Sequence, residues 1–268
     1  MDQLYRVKQL IMVSSKKLYL AMIFTAVVAW VMLIVFVAAI FRSAFGFGES
    51  LVAVPLLALL MPLNIAVPLS VLVSVTIAVF VVAQDHQKIH FKSAANLVIY
   101  ALIGIPIGLW LLTHAAQQPV KILLGLVILV FAGYLLSGAR LKELKTDSKW
   151  WLLGCGLLSG ILGGAYGLNG PPLVIYGAKR RWSAQHFRAT LQAYFLVASL
   201  TGVIGYWISG LLNQTLFNYY LWSLPAVVPA VLIGRKANTM IQDGDRFFKY
   251  SYIILAALGM LLILNAIG

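Results

Sequence analysis

The stretch from 150 to 178 contains no charged side chain, and runs with little or no charge also cover about 18–41, 50–84, 93–120, 122–139, 189–234 and 250–268. A bilayer core about 30 Å thick is crossed by roughly 20 helical residues, so the longer runs must hold two segments each. Hydrophobic residues make up 62% of the 268 and charged ones 10%, more apolar surface than a soluble domain buries. The expected fold class is an all-α, polytopic membrane protein with the lipid bilayer as its first partner.

A net charge of +13 would suit a nucleic-acid binder, but the basic residues sit in short loops between apolar runs, as the positive-inside rule expects. Loops 84–92, 139–149, 179–188 and 235–249 should be cytoplasmic, while 113–119 and 213–215, which lack lysine and arginine, should lie outside. No nucleic-acid partner is expected. Cys155 is the only cysteine, which excludes an intramolecular disulfide and reads as filler. Arg6, Lys8, Lys16 and Lys17 precede an apolar run of about 24 residues, longer than a signal-peptide core and read as a retained membrane helix.

Inside the 150–178 stretch, "GGAYGLNGPP" (163–172) gathers residues that interrupt helices. Basic clusters flank the stretch on both sides, so it should enter the membrane and come back. Two crossings would have about 14 residues each, or roughly 21 Å, short of the core thickness. A re-entrant or broken hairpin fits better, its tip at membrane depth, where irregular backbone needs protein cover or a cavity.

Sliding the chain by 121 residues aligns 30–55 on 151–176 without a gap, matching Trp30, Ile40, Ala44 and Gly46 to Trp151, Ile161, Ala165 and Gly167. After each tip come a short half-segment, a long segment and a hairpin of two. Each repeat then has about five membrane segments, an odd number, so the halves 1–143 and 144–268 should be inverted relative to each other. Paired Gly/Pro-interrupted segments in inverted repeats point to the midplane site of a secondary transporter. Perfect inversion starts the chain outside, whereas its basic tail argues for the cytoplasm; the side of the N-terminus stays open.

A helix starting at membrane depth exposes N–H groups and the positive end of its dipole, which favour an anion. Asn169 is placed to cap the second such helix and Pro171 suits its first turn, although prolines there also simply start a packed helix. Gly163, Gly164, Gly167 and Gly170 admit either a ligand or a neighbouring helix. The first tip, "FRSAFGFGES" (41–50), puts Arg42 and Glu49 between apolar runs. Charges at depth mark function: Arg42 to attract an anion, Glu49 to carry a proton or pair with Arg42; the alternative is a solvated interfacial loop. Phe45 and Tyr166 occupy equivalent positions, as cavity walls or aromatic packing. Gln192, Ser70, Ser74 and Thr76 either face the cavity or bond the backbone one turn back. The expected substrate-binding set is Arg42, Phe45, Gly46, Gly48, Ser50, Tyr166, Gly167, Asn169, Gly170 and Pro171, with Glu49 for proton coupling. His86 and His90 are four apart but lack further ligands at suitable spacing, and His114 and His186 read as loop residues, so neither metal nor cofactor is expected.

"AFGFGESLVAVPLL" and "GGAYGLNGPPLVIY", with "HFRAT" downstream, resemble the paired signatures of the TauE/SafE sulfite exporter family, also called the toluene sulfonate uptake permease family. Gly46, Gly48 and Pro55 match the first motif, Glu49 and Ser50 replacing its last two glycines. Gly164, Gly167, Gly170, Pro171 and Pro172 match the second, and Arg188 falls on the family's arginine after the cytoplasmic loop. The resemblance implies a bacterial inner-membrane carrier for sulfite, sulfonates or related small organic anions.

Together these readings describe an alternating-access carrier of a small anion, with protons as the candidate coupling ion. A passive anion channel and a non-transporting membrane partner are the alternatives. A membrane enzyme is not expected, because the sequence has no HExxH, GxSxG or paired intramembrane aspartates.

Overall fold

The computed structural model describes residues 25–267 apart from 86, 88, 139–142, 183 and 241–243; residues 84–85, 184–185, 188, 238–240, 244–252 and 254–255 are described by backbone alone. His86, the Arg188 side chain and the N-terminal basic residues lie outside the described residues. Within them the chain is helical and has no strand. Its helices are α1 (Thr25–Phe45), α2 (Glu49–Leu57), α3 (Leu63–Asp85), α4 (Phe91–His114), α5 (Gln117–Leu136), α6 (Lys149–Tyr166), α7 (Gly170–Lys179), α8 (Ala184–Ile208), α9 (Gln214–Met240) and α10 (Gly244–Ile267). α1, α3, α4, α5, α8 and α9 are each long and apolar enough to cross a membrane. The protein is multi-pass. Large apolar side chains such as Val130, Trp207 and Ile208 stand outward, a distribution that suits lipid rather than water.

Both interruptions read from the sequence are breaks between a long helix and a short one. α1 ends at Phe45 and α2 begins at Glu49; α6 ends at Tyr166 and α7 begins at Gly170, each boundary 121 positions after its counterpart. Gly46 and Gly167 take φ of 83° and 69°, a left-handed conformation that costs a residue with a Cβ about 1 kcal/mol or more. At the second break the amide of left-handed Gly167 donates to the Gly163 carbonyl, the bond of an αL cap, and that of Leu168 to the Leu162 carbonyl, which together close α6. The second interruption is not two equal halves: α6 has 18 residues and α7 has 10. Their outer ends lie together. The Leu144 amide donates to the Lys179 carbonyl, and Asp147, ahead of α6, pairs with Arg180 at 2.9 Å and accepts from the Tyr176 hydroxyl at 2.7 Å.

A short connection does not by itself make two helices packing partners. α4 and α5 are separated only by 115–116, yet α4 lies on α6 and α8, while α5 lies on α10. Glycine explains the α4–α6 pairing. A Cβ on Gly108 would strike the Ile161 carbonyl oxygen, one on Gly160 the Ala101 carbonyl oxygen and one on Gly164 the Ile105 carbonyl oxygen. Backbone thus meets backbone, the small-residue packing that membrane helices use in place of a hydrophobic drive. A similar approach joins α9 to α1, where a Cβ on Gly234 would lie 2.6 Å from the Ile40 carbonyl oxygen. α3 packs on α8, and these two long helices carry polar side chains to the breaks.

Candidate functional site

α1 and α2 hold the charges. Arg42 sits one turn before the end of α1 and Glu49 at the start of α2, 3% and 1% exposed, so neither side chain is solvated. Arg42 Nη1 lies 3.4 Å from Glu49 Oε2. Each group also has partners of its own. Nε and Nη2 of Arg42 donate to Gln192 Oε1 at 3.3 and 2.8 Å, Nη1 donates to the Ser74 hydroxyl, and the guanidinium carbon stands 4.9 Å from the Phe195 ring centroid. Glu49 accepts from Ser70 at 2.8 Å and from Ser50 at 3.2 Å. A buried pair persists when further hydrogen bonds satisfy both charges, as here.

Gln192 links the second half of the chain to the first break. Its Oε1 holds Arg42 and its Nε2 donates to the Gly46 carbonyl at 2.6 Å. Gln192, Ser70 and Ser74 therefore face the site. Thr76 instead bonds one turn back to the Leu72 carbonyl and pairs with the Tyr220 hydroxyl.

The second break closes the other side. Gly167, Leu168, Asn169 and Gly170 line one small cavity together with Arg42, Gly48, Glu49, Ser50, Leu51, Ser74 and Phe195, with room for about one water-sized molecule. A Cβ on Gly167 would stand 3.6 Å from the Ser50 hydroxyl, so the two tips touch. Ser159 donates to the Asn169 carbonyl at 2.6 Å and is itself bonded by the Tyr194 hydroxyl, while Tyr206 donates to the carbonyls of Gly163 and Gly164. The irregular backbone of the second break is thus satisfied by side chains.

Of the residues expected at the site, Arg42, Gly48, Glu49, Ser50, Gly167, Asn169 and Gly170 meet at the cavity; Phe45, Gly46, Tyr166 and Pro171 do not line it. Phe45 packs on Phe41 with ring centroids 4.5 Å apart, and Gly46 contributes its carbonyl to Gln192. Tyr166 is buried, and its hydroxyl has no hydrogen-bond partner among the described residues. Gly163 and Gly164 serve packing, against Asn169 and α4 respectively. The capping role expected of Asn169 is corrected. It sits at the N-cap position but makes no side-chain cap bond, because its φ and ψ of −70° and −21° are already helical, whereas a capping residue is extended. Its Oδ1 turns toward Gly163 and has no partner among the described residues. Phe195, Leu51 and Leu168 were not anticipated. Phe195 lies one helical turn beyond Gln192, a spacing that marks it as a neighbour on the same face of α8.

His90, one of the two histidines four positions apart, does not face this site. Its ring stacks on Trp182 at 5.2 Å and lies 4.8 Å from that of His186, and its amide donates to Thr190. Burial, and then the charges of His186 and Arg180, lower its pKa. Among the described residues no cluster of three or more metal-ligating side chains exists.

The chain matches the family model for sulfite exporter TauE/SafE over residues 31–262. It is 25% identical over 235 residues to a protein of Cupriavidus necator described as a probable sulfite/organosulfonate exporter TauE, covering 85% of this chain and 90% of that one. No solved structure matches. A family match that spans both breaks and the cavity between them places the protein: this chain belongs to the TauE/SafE sulfite exporter family.

Proposed function

We propose that the protein is a bacterial inner-membrane carrier that moves small sulfur oxyanions, organosulfonates or related organic acids by alternating access, with a proton carried on Glu49. The observation that carries this reading is the meeting of the two breaks around one buried ion pair, with the cavity lined by residues from both halves. Family membership and the description of the Cupriavidus necator relative support transport rather than catalysis.

Charge accounting gives the coupling. The Arg42–Glu49 pair is neutral, so an anion docking on Arg42 leaves one uncompensated negative charge in a low-dielectric site, at a cost of several kcal/mol. A proton on Glu49 removes that charge and releases Arg42 to the anion. Each substrate charge then travels with a proton. Phe195 and Gln192 keep the guanidinium in place throughout.

The halves 1–143 and 144–268 act as inverted repeats, each contributing one broken, re-entrant tip. Exchange of packing partners supports this: α4 of the first half lies on α6, α9 of the second approaches α1, and the pairs α3–α8 and α5–α10 join counterparts. A second cavity of about 250 Å³, lined by Asn64, Thr113, Gln117 and Ser209 among others, opens at the helix ends that carry no basic loop. It is the outer vestibule in this reading, while the Asp147–Arg180 pair lies on the cytoplasmic side.

Proteoliposomes loaded with sulfite, ethanesulfonate or acetate test the proposal. Flux of at least one anion, stimulated by an imposed proton gradient, is expected; absence of flux for all three overturns it, and flux indifferent to the gradient with single-channel currents would favour a passive channel.

A further inference from the structure

The site already described holds a fixed cation and a fixed anion side by side, and each is solvated by the protein independently of the other. Arg42 retains Gln192 and Ser74, and Glu49 retains Ser70 and Ser50, whether or not the two touch. Their mutual contact is a single one at 3.4 Å, long for a charge-assisted hydrogen bond and not the bidentate form an arginine and a carboxylate adopt when nothing intervenes. The pair is arranged to be parted.

We propose that this site also takes small zwitterions, molecules with a sulfonate or carboxylate at one end and a primary ammonium at the other, as a substrate class distinct from simple anions. The acidic group docks on Arg42 and the ammonium on Glu49. One internal ion pair is replaced by two with the ligand, and the cavity stays neutral without a proton. A simple anion must bring that proton with it, which makes the two classes differ in pH dependence at one site. Glu49 is the residue that makes the difference: it stands where the family resemblance places glycine, and Gly170, its counterpart 121 positions on, adds no competing charge. The inference rests on the anion-carrier reading of the same cavity.

Matched ligand pairs on the purified full-length protein test it: aminoethanesulfonate against ethanesulfonate, and beta-alanine against propanoate, by titration calorimetry at about pH 8 and about pH 6. A charge-assisted hydrogen bond to the ammonium is expected to make each zwitterion bind at least about tenfold more tightly than its partner at the higher pH. The margin should narrow at the lower pH as anion binding strengthens. In Glu49→Gln the zwitterion advantage should vanish and anion binding should lose its pH dependence; thermal unfolding of the same sample reports that it is folded. If the anions bind and the added amine gives no gain or weakens binding in the wild-type protein, the zwitterion class is overturned while the carrier reading stands. If neither member of either pair binds, both are overturned.

Discussion

At the first break the chain places Arg42, Glu49 and Ser50 against the cavity, and 121 positions later the same places carry Gly163, Gly170 and Pro171. Both breaks pass through a left-handed glycine, Gly46 and Gly167, but the first turns a second time at Gly48, with φ of 92°, where its counterpart Asn169 is helical. What hangs from them differs completely. Two prolines at the start of α7 also remove two amide donors that the start of α2 retains, so an anion would draw on the first break for charge and amides alike. The second break supplies room and shape. A second arginine at 163 would have to occupy the space into which Asn169 folds. One charged tip against one compact tip is how a site of this size holds a single ion pair.

The sharpest test of this division is Arg42→Gln. It leaves Glu49 buried without its cation, so flux should fall to background and stability by about 3 kcal/mol or more, read by denaturation in mild detergent. Arg42→Gln with Glu49→Gln should recover most of the stability and none of the flux; recovery of flux would show that the charges do not belong to the transport site. Next in size are the glycines that seat each break. Gly108→Ala pushes a Cβ into the α6 backbone, and Gly234→Ala does the same against α1, each expected to cost about 1–3 kcal/mol in thermal stability. A loss at only one of them would mean the two breaks are not seated alike. Gly46→Ala and Gly167→Ala should each cost about 1 kcal/mol through the left-handed backbone, and Gly167→Ala somewhat more, its Cβ standing 3.0 Å from Val71, read as shifts in melting temperature. Smallest is Asn169→Ala, which removes no cap bond and should change stability by under about 0.5 kcal/mol while altering anion preference; a loss of about 1 kcal/mol would restore the capping role.

Much of this was legible before any coordinates. Charge-free runs locate the helices because the bilayer tolerates little else, and the Gly-rich tips locate both breaks to within a residue or two. Arg42 and Glu49 stand out because charge between apolar runs needs a reason. Other features were hidden. Which helix packs on which depends on where Gly104, Gly108, Gly160 and Gly164 fall on facing surfaces, and helix order along the chain suggested hairpins that the packing does not follow. Phe195 is one apolar residue among many in α8, and only the position of Arg42 singles it out. Asn169 has the residue type of a cap in the place of a cap; the turn at Gly167 delivers the chain to it already coiled, and no sequence rule registers that.

The seam between α4 and α6 bears on how such a molecule moves. Where carbonyl oxygens of one rod nest against the alpha carbons of another, no cushion of side chains remains to shear, and sliding by less than a full turn would drive atoms into one another. The two rods are therefore a single lever. From that seam α4 runs back to His90 and Ser93, whose partners in the other half are Thr190 of α8 and Asp147 ahead of α6.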